Sequence, residues 1–153
     1  MKLSERVGPF LPYLRRFARA LTGSQQSGDA YVAALLESVI ADPSIVKESQ
    51  NTRLALYRGL CSMWSSLSIN ETADISQPAW EATVQGRLAN MPGRARQVYL
   101  LAAIEGFEPR EIAEIQGIGI DEVTRLHQVA TQQISEMITS DVLIIEDEPL
   151  IAM

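Results

Sequence analysis

One cysteine and one histidine occur in 153 residues. A lone Cys61 excludes an internal disulfide framework and fits a reducing cytoplasm. As a reactive thiol it would need a base, and only His127 could serve, so a small buried side chain is the simpler reading. A lone histidine also cannot form a metal site without partners. Aromatic residues are scarce, at 6%. No apolar run approaches the roughly 18 residues that span a bilayer, so no membrane segment is expected. The N-terminus carries early charges but no apolar stretch ahead of a small-residue cleavage site, so no signal peptide is expected. There is no Gly-rich phosphate loop, no His and Cys at ligand spacing and no nucleophile beside a base. An enzyme is therefore not expected, nor a cofactor.

Basic charge is missing as well. The net charge is −6, and its distribution matters more than its size. Residues 1–62 sum to +3, residues 63–83 to −3, residues 84–138 to −2 and residues 139–153 to −4. A free-standing nucleic-acid binder usually shows a basic face. The sole candidate is the cluster Arg15, Arg16 and Arg19, read as a solvated face or as a site for an acidic partner.

What is present is helical patterning. Residues 9–22 place Phe10, Leu14, Phe17 and Leu21 on one stripe, and Gly23 ends that helix. Ser27 to Asp29 read as the start of a second helix over 29–41, stopped by Asp42-Pro43. A third helix is predicted over 50–67, completing a small bundle. The polar, acidic residues 68–82 read as a linker, with Trp80 anchoring it or the next helix onto a core. Further helices are predicted over 79–90, 93–105, 109–116 and 120–138, with Phe107 as an apolar plug. Pro109 suits a first helical turn, and Asp121 is a candidate N-cap. Two helices joined by Gly117-Ile118-Gly119 carry a helix-turn-helix signature. Beyond them, Asp141 to Ile145 is a short β-branched run, read as a strand. A single strand is not stable alone, so the chain reads as the front part of something longer.

The expected fold class is all-α: two small bundles, residues 1–67 and 83–139, then a stub of an α/β domain over 140–153. The stretch LANMPGRARQVYLLAAIEGFEPREIAEIQGIGIDEVTRLHQVATQQI resembles region 4 of extracytoplasmic-function sigma factors. LRRFARALTGSQQSGDAYV resembles region 2 of the same family. The tail VLIIEDEPLIAM resembles the opening of a response-regulator receiver domain. There Glu146 and Asp147 match the carboxylate pair that helps bind Mg²⁺, an ion suited to hard oxygen ligands. This order of parts resembles the PhyR anti-anti-sigma regulators of the alphaproteobacterial general stress response. The resemblance implies partner switching: the phosphorylated receiver, served by a histidine kinase, frees the sigma-like part to capture a NepR-type anti-sigma factor.

DNA recognition needs cations for phosphates and for guanine edges. The candidate reading helix, 120–138, has Arg125 against Asp121, Glu122 and Glu136, a local charge of −2. Its N-terminal acids would face phosphate with like charge. The expectation is a sigma shape without DNA binding, the alternative being a DNA-binding initiation factor or a bare structural bundle. A partner helix would lie in an apolar groove, with Val98, Leu101, Ile115, Ile118 and Val129 as candidate lining and Arg15 and Arg19 as candidate charged rim.

Overall fold

A computed structural model describes residues 2–46, 51–67 and 93–147. The side chains of Leu67 and of residues 140–147 are left out of the description. The described residues are helical or turns, with no strand. The first half comprises α1 (Leu3–Val7), α2 (Leu11–Thr22), α3 (Gln25–Ala41) and α4 (Thr52–Leu67), with 3-10 turns at Gly8–Phe10 and Pro43–Val46. The second half comprises α5 (Gly93–Ala103), α6 (Pro109–Gln116) and α7 (Ile120–Asp147). The linker over 68–82, Trp80 and the helix expected over 79–90 lie outside the described residues.

Local signals place most boundaries. Gly23 takes φ +82° and ends α2, its N–H bonding the Arg19 carbonyl at 2.9 Å; a left-handed residue there suits glycine. The start of α3 differs from the expected Ser27–Asp29. Ser24 is the N-cap, its hydroxyl accepting from the Ser27 N–H at 3.0 Å. Ser27 and Asp29 thus stand inside the first turns, since a cap belongs where the backbone is still extended. At α6, Pro109 occupies the first turn and the Glu108 N–H donates to Glu111 Oε1 at 3.0 Å, a reciprocal start signal. Gly117, at φ +66°, turns the chain into α7. Asp121 is not the N-cap expected of it. The helix begins at Ile120, and Asp121 and Glu122 sit in its first turn, where acids still suit the positive end of the helix.

The largest correction concerns the tail. Residues 141–147 are the end of α7, not a strand. An isolated β-branched run finds no neighbouring strand among the described residues. Extending an existing helix instead adds one backbone hydrogen bond per residue without a new nucleation step. Glu146 and Asp147, expected to follow a receiver strand, have helical backbone here.

The two halves share one core. Leu14, Phe17, Leu21, Leu35, Leu56, Tyr57 and Leu60 of the first half are continuous with Val98, Leu101, Phe107, Ile112 and Leu126 of the second. Helix α4 packs on α6, and α2 on α5, while α5 and α6 pack on α7. Phe107 is buried as the expected plug, and so is Cys61. The α2–α3 crossing is close because Gly28 has no side chain. A Cβ there would stand 2.6 Å from the Arg19 backbone nitrogen and 2.7 Å from its Cα. Gly28→Ala therefore gains about 1 kcal/mol of helix propensity but meets main chain that cannot change rotamer, an overpacking cost of about 3 kcal/mol. A net loss of about 2 kcal/mol is expected in urea unfolding.

Candidate functional site: the interface between the halves

The chemistry-bearing residues gather where the halves meet. Glu105 follows α5 on the turn before Gly106, which takes φ +70°. Its carboxylate is buried, with 1% side-chain exposure. Oε2 accepts from the Tyr57 hydroxyl of α4 at 2.6 Å and from Arg16 Nη2 of α2 at 3.2 Å. Arg53 of α4 donates to the Glu105 carbonyl oxygen at 2.6 Å and lays its guanidinium over the Phe107 ring at 4.0 Å. Phe17, Tyr57 and Phe107 meet edge to face at 5.2 and 5.0 Å, a preferred aromatic geometry. Oε1 of Glu105 has no hydrogen-bond partner among the described residues. One residue of the second half is thus gripped by three side chains from two helices of the first.

A second polar node lies along the same interface. Gln97 of α5 is 1% exposed. It donates to Ser65 Oγ of α4 at 2.9 Å and accepts from Gln116 of α6 at 2.7 Å. Arg96 donates to the Leu21 carbonyl at 3.2 Å, at the negative end of α2 where a cation is favoured. Burial pushes the Cys61 thiol up to about 12, with a hydrogen bond to Gln116 as a smaller opposing cause. The Tyr57 hydroxyl is pushed upward too, first by burial and then by its bond to the Glu105 carboxylate.

The residues expected to line a partner groove separate into two groups. Val98 and Leu101 are fully buried and Ile115 is 3% exposed. They are interior packing, not surface, because α5 and α6 are covered by α7 on one side and by the first half on the other. Ile118 and Val129 are half-buried against the core edge. Exposed Ile120 and Ile138 also lie on α7. Arg15 is exposed. Arg19 is exposed but committed: its guanidinium grips both oxygens of Asp29 at 2.9 Å each, which holds that carboxyl below its usual range. Arg16, expected only as a third member of that cluster, reaches across to Glu105. Glu105, Tyr57, Arg53 and Gln97 were not among the expected site residues. The signal available was a charged residue between an apolar helix and the Gly106-Phe107 plug, a position that tertiary packing buries.

On α7, Arg125 is paired at one turn's spacing. Its Nε donates to Glu122 Oε2 at 3.0 Å and a second bond joins Nη2 to Oε1, which holds the Glu122 carboxyl below its usual range. Asp121 beside them is exposed. A shallow concavity of about 460 Å³ runs past His127, Thr131 and Ser135. Its lining comes from this one helix, and no cluster of metal-ligating residues exists among the described residues. No helix among them is long and apolar enough to cross a membrane.

Comparison with known proteins defines the class first. Residues 7–61 match the family model of the sigma2 domain of PhyR, and residues 88–136 match that of the sigma-like domain of the response regulator PhyR. The fold, without close sequence likeness, is shared with the sigma factor RpoE of Bartonella quintana, solved in complex with the anti-sigma factor NepR (TM-score 0.71, 17% identity, 90% of this chain and 96% of that one). The protein is a sigma-like regulatory module. More narrowly, it is 41% identical, over its whole length, to the phyllosphere-induced regulator PhyR of Methylorubrum extorquens, and spans 57% of that protein. It superposes with TM-score 0.73 and 39% identity on the anti-anti-sigma factor PhyR of Bartonella quintana, solved as a complex with NepR, covering 90% of this chain and 51% of that one. The chain belongs to the PhyR family.

Removing the Tyr57 hydroxyl takes away one of the two partners of a buried carboxylate. Tyr57→Phe is expected to cost about 2 kcal/mol in chemical unfolding. Both raised groups, Cys61 and Tyr57, hold their protons more tightly in the folded chain. The Cys61 contribution to stability is complete below the ordinary thiol value of 9.0 and is lost as pH rises toward about 12, while that of Tyr57 begins to fall above the ordinary phenol value of 10.0. Stability measured across that window should fall with rising pH, and a thiol reagent at pH 8 should label Cys61 only after unfolding.

Proposed function

We propose that this chain is the partner-binding part of an anti-anti-sigma factor. It holds a NepR-type anti-sigma factor by imitating a sigma factor, and it does not bind DNA. The observation that carries this reading is on α7. The helix that reads DNA in a region 4 fold keeps its place after a glycine turn, yet its basic residue Arg125 is tied to Glu122, with exposed Asp121 alongside. Phosphate contacts supply most of the affinity of such helices, and over residues 120–138 one arginine stands against three acids, a local charge of −2. The fold is meanwhile shared with two proteins solved in complex with NepR, one a PhyR and one a sigma factor. Two chains that bear one shape and meet one partner are what mimicry requires.

In this reading a helical partner lies against apolar side chains at the edge of the core, with Ile118 and Val129 contributing. Apolar contacts supply affinity, and Arg15 supplies charge at the rim. In the longer protein, a receiver domain phosphorylated by a histidine kinase in the cytoplasm shifts the equilibrium toward the form that binds. Mg²⁺ belongs to that receiver. Calorimetric titration of the chain with a NepR-type protein should show saturable binding without any phosphoryl donor; no heat of binding at tens of micromolar would sink the proposal. In a low-salt gel shift with promoter DNA the chain should leave the DNA unshifted. A shift that weakens steeply with salt would favour a DNA-binding initiation factor instead.

A further inference from the structure

We propose that Glu105 is a positioning residue: it sets how the two halves sit relative to each other, and through that placement governs capture of the anti-sigma partner. The inference rests on the reading above. Its starting point is an energetic mismatch. A carboxylate with 1% exposure has given up its water, yet Oε1 has no partner among the described residues and its ionic partner Arg16 is 52% exposed. Desolvating a carboxylate costs several kcal/mol, and a single ion pair of this kind seldom returns more than it takes. Glutamine, close to it in volume and still able to accept from the Tyr57 hydroxyl, would fill the space at little loss of stability. Stability is therefore a poor explanation for an acid here.

Geometry is a better one. The other contacts across the interface are mainly apolar and non-directional, so they tolerate sliding. The Glu105 contacts are directional and short, and they come from two separate helices. Tyr57 and Arg16 hold the carboxylate, while Arg53 holds the carbonyl of the same residue. Gly106, with its positive φ, turns the chain immediately after, and Phe107 is locked between Tyr57 and Arg53. The node lies at the junction of α5 with α6, so rotating the second half against the first would break all these contacts together. A clamp whose jaws carry separate parts of a binding surface needs such a register. If the halves adopt the binding arrangement only a tenth of the time, apparent affinity falls about tenfold with no contact residue changed.

The test uses the 153-residue chain and its Glu105→Gln variant, with three readouts. Spin labels at Glu37→Cys on α3 and Gln128→Cys on α7, both exposed positions on opposite halves, report the distance between the halves; buried Cys61 stays unlabelled. Glu105→Gln is expected to keep the melting temperature, broaden the distance distribution and weaken binding of a NepR-type protein by about tenfold. Arg16→Gln, which removes a half-exposed side chain, is expected to do the same to a smaller extent, and gives a reading should Glu105→Gln fail to fold. An unchanged distance distribution overturns the proposal. So does a broadened distribution with unchanged affinity, or a loss of affinity that merely tracks a loss of stability. Should the unsubstituted chain fail to bind the anti-sigma protein, the functional reading falls, while the distance measurement still decides whether Glu105 sets the register.

Discussion

A buried carboxylate held across a helix–helix interface organises this molecule. Glu105 comes from the second half, and its hydrogen-bond partners Tyr57 and Arg16 come from the first. Around it the aromatic rings of Phe17, Tyr57 and Phe107 close edge to face. Gln97 adds a second polar contact between the halves, to Ser65, and one within its own half, from Gln116. Apolar burial supplies the bulk of the driving force for joining the halves. These polar contacts select one arrangement among those that would bury similar area.

The sigma-like shape can be considered apart from the chemistry on its surface. A family that keeps the outline of a sigma factor can meet the proteins that recognise that outline, whether or not it retains the factor's nucleic-acid chemistry. On α7, Arg125 is hydrogen-bonded to Glu122, and the first turn adds Asp121. Two separate physical requirements are thus visible on one fold. Register between the halves is a matter of polar contacts across the interface, and nucleic-acid chemistry is a matter of charge on one helix.

Much of this was legible from residue order. Helical periodicity and stop signals gave α2 through Gly23, α6 in full from Pro109 to Gln116, and the glycine turn into α7. The scarcity of cations over 120–138 was a matter of counting. Besides the two helix starts at Ser24 and Ile120, two readings differ from the structure. The run from Asp141 to Ile145 has strand-like composition, but a strand needs a neighbour, and without one the backbone satisfies its hydrogen bonds by prolonging α7. Val98, Leu101 and Ile115 were placed on a binding surface, although an apolar residue at helical spacing looks the same from sequence whether it faces a partner or the core.

By itself, then, the sequence determined the helical elements, the helix-turn-helix, the single unreactive cysteine and the lack of a basic reading helix. Each depends on local spacing or on composition. Only the tertiary structure decided that the two halves share one core, that Arg16 leaves the surface cluster of Arg15 and Arg19 to meet Glu105, and that Glu105 is buried at all. Arg16 and Glu105 stand 89 positions apart. Long-range pairing of that kind depends on how whole helices pack, and nothing in the residues near either partner encodes it.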